Sequence, residues 1–142
     1  MLTRIRQHLQ RQDGVAAVEF AIVSMVFLVI LFGILTYGFI FSLDQSLNHA
    51  AEEGARAAIS STSPATAMTQ AHAAAKQRLN WMGSRIQDSD IVEAVAACPN
   101  DATVSCITVT ITYPWDTRPI IPKFPGLPVP TQMQAVAVVQ LT

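Results

Sequence analysis

The segment from Val15 to Phe41, VAAVEFAIVSMVFLVILFGILTYGFIF, limits what this chain can become more than any other part of it. Its ionisable side chains are Glu19 and the phenol of Tyr37. As a helix rising 1.5 Å per residue it reaches roughly 40 Å, more than the ~30 Å hydrocarbon core of a bilayer. A core helix of that length without polar relief has no counterpart in a small soluble domain, so a membrane span is expected. A secretory signal peptide would have an apolar region of about 7–15 residues and then a small-x-small cleavage site. The run here is about twice as long, and TYGFIFSLDQ at its edge offers no such site. The segment is therefore expected to stay with the mature chain.

Charge orients it. Residues 1–14 hold Arg4, Arg6 and Arg11 against Asp13, whereas the first charges after the span are Asp44, Glu52 and Glu53. Basic flanks stay in the cytoplasm, so residues from about 42 onward are expected in the periplasm. The 142 residues are 51% hydrophobic and 13% charged, too apolar for disorder, and the net charge of −1 leaves no footprint for nucleic acid.

Beyond the span, residues 42–60 contain no proline and are rich in alanine. Leu43, Leu47, Ala50, Ala51, Gly54, Ala55, Ala58 and Ile59 recur on one helical face. Glu52 and Arg56 stand four apart, in the favourable order for an ion pair. One helix is thus expected to run from the membrane into the outer domain. Ser63 can cap a second helix with Pro64 at its first position. Met68, Ala71, Ala75, Leu79 and Met82 would form its inner stripe, and Gly83 its stop.

After Arg85 the period changes. Residues 91–97 read as a short strand, 104–113 as a stronger one with isoleucine, valine and tyrosine alternating with Thr108, Thr110 and Thr112, and 131–141 as a third. CPNDATVSC between the first two reads as a hairpin loop. Residues 114–130 hold six of the eight prolines and exclude regular structure. The expected fold is α+β: a long transmembrane helix continuing into a small pilin-like domain, with a second helix and a three-stranded antiparallel sheet. Its parts are residues 1–14 as a basic cytoplasmic leader, 15–41 as the span and 42–142 as the exported domain.

Gly14-Val15-Ala16-Ala17-Val18-Glu19-Phe20 opens the span. A lone carboxylate in lipid costs at least ~2.5 kcal/mol, which calls for a reason, unless Glu19 sits at headgroup level. A basic stretch ending in glycine, four small or apolar residues, a glutamate and an aromatic resemble the processing site of type IV prepilins and pseudopilins. The stretch Gly14 to Ala21, the alanine-rich continuation through Gly54-Ala55-Arg56 and a threonine-rich strand ending Tyr113-Pro114 look like the TadE-like proteins, minor pseudopilins of the Tad (Flp) pilus.

The resemblance implies cleavage by a prepilin peptidase between Gly14 and Val15. Glu19 and Phe20 would then align subunits, the Glu19 carboxylate pairing with the new amine of a neighbour's Val15. It also implies a bacterial inner-membrane location, incorporation into the pilus, a part in adherence and biofilm formation, and partnership with other pilins, pseudopilins and Tad assembly-platform proteins. The major Flp pilins have almost nothing after their helix, so the long outer domain here points to a minor subunit. A permanently anchored, uncleaved periplasmic scaffold of a secretion system stands as the alternative.

Cys98 and Cys106 flank the expected hairpin loop in a compartment that permits disulfides, and closing so small a loop would stabilise by roughly 2.5 kcal/mol. Metal binding would need further ligands, and no histidine lies nearby in sequence. His8, His49 and His72 are scattered, with surface or packing roles expected. No catalytic triad, phosphate-binding loop or nucleotide fingerprint is present, so neither an enzyme nor a cofactor is expected.

Overall fold

The computed structural model describes residues 2–123 and 126–141, with side chains from Gly14 onward. The side chains of Arg4, Arg6, Arg11 and Asp13, and Phe124 and Pro125 within the proline-rich segment, lie outside the described residues. The chain is α+β, as its periodicities require. Helix α1 spans Leu2–Ala57 and α2 spans Pro64–Arg78. Strands β1 (Ile91–Cys98), β2 (Asp101–Tyr113) and β3 (Met133–Gln140) form one antiparallel sheet in the order β1-β2-β3. Two compact units result, Met1–Gly38 and Phe39–Thr142.

The first unit is helical. From Val15 onward most of its large apolar side chains are exposed: Phe20 is 74% exposed, and Ile22, Val23, Met25 and Ile34 are similarly bare. Residues 14–60 are long and apolar enough to cross a membrane, and the most apolar window has none of its residues buried. Such a surface is unfavourable in water at about 25 cal/mol per Å². The segment is therefore suited to a single-pass membrane anchor.

The second unit has its core between two helices and one face of the sheet. From α1 come Leu43, Leu47, Ala50, Ala51, Gly54, Ala55 and, in the short 3-10 turn that follows, Ala58. Ile59, expected on this face, is exposed, because α1 tightens to 3-10 geometry at Ala58–Ser60 and rotates it outward. The expected Glu52–Arg56 pair gives way to His49–Glu52 at 3.8 Å, while Glu53 reaches Arg78 of α2 at 3.3 Å.

Ser63 caps α2, its hydroxyl accepting from the Thr66 amide at 3.3 Å, with Pro64 first in the helix. The buried stripe of α2 is Ala67, Ala71 and Ala75, continuing to Leu79 and Met82; Met68 is only half-buried. Only small residues fit because the helices meet at Gly54. A Cβ there would lie 2.9 Å from the Ala71 carbonyl oxygen, 3.1 Å from Ala75 Cβ and 3.5 Å from Val109 Cγ1. The α-helix ends at Arg78, before Gly83, which instead takes φ +58° within the 3-10 segment Asn80–Arg85.

The sheet puts Ile91, Ile107, Val109, Ile111, Tyr113, Met133 and Ala135 into the core. Thr108, Thr110 and Thr112 point the other way, as the two-residue period demands. The β1–β2 connection is tighter than expected. β2 begins at Asp101, so Pro99 and Asn100 alone turn the chain, and the extra residues are absorbed by a register shift beside Ala97 and Cys98. Thr103 donates its hydroxyl (2.6 Å) and amide (2.9 Å) to Asp101 Oδ1, which holds that carboxyl below its usual range.

Candidate assembly surface

Gly14, Val15, Glu19 and Phe20 all lie on exposed helical backbone in the first unit. Val15 and Glu19, four apart, share one face of α1, and Phe20 sits about 100° round from Glu19. A Cβ on Gly14 would meet no atom within 4 Å. Glycine there serves no packing need, and it weakens the helix by roughly 0.5–1 kcal/mol relative to alanine. The bond that the resemblance marks for cleavage is thus in a stretch that is easier to unwind than its neighbours.

Cys98 and Cys106 belong to the second unit and are joined in a disulfide with Cα atoms 4.9 Å apart. The bond spans the irregular end of the hairpin: Cys98 opposes Asp101 while Cys106 opposes Ala96, so the bridge fastens two strands where their ladder slips.

Two polar clusters brace the second unit, and the scattered spacing of their members hid both. His72 of α2 places Nδ1 2.8 Å from Glu93 of β1 and Nε2 3.3 Å from Asp88, to which Lys76 also donates. The Lys76 bond, then the His72 one, hold the Asp88 carboxyl below its usual range. In the other cluster Arg118 grips Asp90 with two nitrogens, at 2.8 and 2.5 Å, and donates to the Arg85 carbonyl at 2.6 Å. The Asp90 bond pushes the Arg118 guanidinium up. Tyr113 donates to the Arg118 carbonyl at 2.5 Å while the guanidinium lies 5.6 Å above its ring. Burial raises the Tyr113 phenol. Together with Trp115, 1% exposed and 6.3 Å from the ring of Phe39, these contacts pin the start of the proline-rich segment. Among the described residues no three His, Cys, Asp or Glu side chains converge as a metal site would require.

Among the described residues most of the exposed large apolar side chains lie on the helix carrying Gly14 to Phe20 and its continuation. Comparison with known families falls on that same stretch. Residues 14–56 match the TadE-like protein family. The matched segment contains the glycine–glutamate motif, the apolar run and Gly54-Ala55-Arg56, the point where α1 closes on α2. A TadE-like match associates the chain with Tad pilus-related proteins. No curated protein and no solved structure matches.

Proposed function

We propose that this chain is a minor, TadE-like pseudopilin that takes part in assembling a Tad/Flp pilus and supports adherence and biofilm formation through it. It acts as an assembly subunit, not as an enzyme. The observation that carries the reading is the coincidence of the TadE-like match with an uncovered apolar helix opened by Gly14-x4-Glu19. In this reading a prepilin peptidase cuts between Gly14 and Val15 on the cytoplasmic side. The helix is held in the inner membrane until other pilins and pseudopilins, with the Tad assembly platform, take it up.

Physical chemistry supports each step. The arginines preceding Gly14 favour a cytoplasmic start, and a disulfide-closed hairpin suits an oxidising exterior. The cut would create an amine at Val15. Pairing it with the Glu19 carboxylate of a neighbour offsets the cost of holding either charge alone in lipid. The test is N-terminal sequencing of the mature chain from hosts with and without a prepilin peptidase. A start at Val15 is expected only in the first host, and Gly14→Leu, which puts a branched side chain at the cut, should retain residues 1–14. An intact leader in the peptidase-positive host would overturn processing and leave the uncleaved scaffold.

A further inference from the structure

β2 runs back along α1 toward the apolar run. A Cβ on Gly54 would lie 3.5 Å from Val109 Cγ1, and the rings of Phe39 and Trp115 are 6.3 Å apart. From Gly54 back to Phe39 is about 22 Å of helix, and from Val109 on to Trp115 is about 20 Å of extended chain. The two paths match. The chain therefore leaves β2 at the end of the second unit where the apolar run closes, at Phe41, which is itself 68% exposed.

The chain at that end has an unusual composition. The Asp116 N–H donates to the Thr131 carbonyl at 2.8 Å, which closes the base of a loop over residues 117–130. The loop contains no carboxylate. Five of its fourteen residues are proline, which has no N–H to leave unsatisfied where water is scarce. Pro119 and Pro122 are exposed, while Ile120, Ile121, Leu127 and Val129 are half-buried. The acids beside the loop are tied to its cations, Asp116 to Lys123 and Asp90 to Arg118.

A second feature reaches the same level independently. Trp81 lies in the 3-10 segment Asn80–Arg85, and its indole N–H donates to Ser46 Oγ at 3.2 Å. Ser46 stands five residues beyond Phe41, about 7 Å along the helix. Trp81 is nonetheless 56% exposed. Arg85 of the same segment donates to the Ile120 carbonyl at 3.3 Å, which joins this segment to the loop. An exposed ring with one polar end, at the edge of an apolar run, suits the headgroup level of a bilayer. Cations beside apolar side chains suit it too, because anionic headgroups lie over the acyl chains there.

We propose that Trp81 and the loop over residues 117–130 form a collar that rests in the outer headgroup zone of the bilayer, with lipid as its partner. The collar rests on α1 being a membrane anchor and does not depend on cleavage after Gly14. The experiment uses the full-length chain, its disulfide intact, in vesicles of phosphatidylethanolamine and phosphatidylglycerol. A fluorophore is attached at Trp81→Cys or Pro122→Cys, both exposed positions. Reference labels go at Leu28→Cys in the apolar run and at Thr110→Cys on the outer face of the sheet. The quenchers are nitroxides on the acyl chains, near the headgroup or near the chain end, and iodide in the water. Labels at positions 81 and 122 should lose most emission to the nitroxide near the headgroup and little to iodide. The label at position 28 should lose most to the deep nitroxide, and the label at position 110 should respond to iodide alone. In the unmodified chain Trp115 is buried, so bromine on the acyl chain near the headgroup should quench the emission of Trp81, with no substitution to disturb the fold. If positions 81 and 122 respond as position 110 does while position 28 meets the deep nitroxide, the collar is overturned and the anchor stands. If position 28 is open to iodide, both fall. Shielding of positions 81 and 122 from iodide and lipid alike would give this surface to a protein contact and overturn the proposal.

Discussion

Gly54 shows how one missing side chain sets the packing of a domain. Alanine is the better helix former, by roughly 0.5–1 kcal/mol in a helix interior. At Gly54, however, the added methyl would stand 2.9 Å from a backbone oxygen of α2, with Ala75 beside it at 3.1 Å. A carbonyl in a packed helix cannot step aside as a flexible side-chain end can. Overpacking of this kind costs about 1–3 kcal/mol. Gly54→Ala is therefore expected to destabilise the second unit by about 1 kcal/mol net, and Gly54→Val by more, read as lowered thermal midpoints of the full chain in detergent. Gly14→Ala, where nothing lies within 4 Å, should not lower the midpoint. An unchanged or raised midpoint for Gly54→Ala would mean the helices separate freely. This glycine falls in the matched segment, so the Gly-Ala-Arg stretch has a steric meaning here: it is where α1 lets α2 approach.

At the scale of elements, α2 is tied to the chain before and within β1 through Lys76, His72, Asp88 and Glu93. The Asp88 carboxyl is held below its usual range by Lys76 first and His72 second. A group whose pKa is depressed on folding contributes stability that is complete above its unfolded value, about 3.9 for aspartate. That contribution is lost as pH falls through the lower folded value. The stability difference between the natural chain and Lys76→Met should thus be present near neutrality and shrink below about pH 4. Because Asp88 is exposed, it should also shrink in high salt. A difference unchanged down to pH 2 would remove the charge from the explanation. Periodicity shows in advance why most elements form: the cap at Ser63, the alternation through Thr108 to Tyr113 and the stripe on α1 are local patterns. It misplaces Ile59, which the 3-10 turn at Ala58–Ser60 rotates outward, and Met68, which is half-buried because the close approach of the helices at Gly54 favours the alanine stripe. The Asp90–Arg118 lock was not readable, because its members lie far apart in sequence with no spacing to mark them. The tight turn at Pro99–Asn100 was hidden by turn-forming residues that the strand absorbs.

For the molecule as a whole, the open question at Glu19 is whether its charge is used between subunits. The motif at residues 14–20 was legible because a carboxylate within an apolar run is costly and therefore conspicuous. The partner proposed for that carboxylate belongs to another chain, so nothing within this sequence marks it. If Glu19 only rests among lipid headgroups, Glu19→Gln should be nearly silent: the amide is neutral and similar in shape. If the carboxylate pairs with the amine of a neighbour's Val15, the change leaves that amine unpaired in low dielectric. Breaking a buried pair by removing one member costs roughly 3–5 kcal/mol, enough to weaken co-assembly by at least two orders of magnitude. Cleavage after Gly14 should be much less affected, since the glycine and the basic stretch before it are untouched. The expected phenotype is a chain that is processed and membrane-inserted yet fails to co-purify with other pilins and does not restore pili. The measurement is complementation of a strain lacking this subunit, scored for surface pili at matched expression, beside the N-terminal sequence of the variant. Normal piliation by Glu19→Gln would return Glu19 to the headgroup region and leave subunit register to the apolar face of α1.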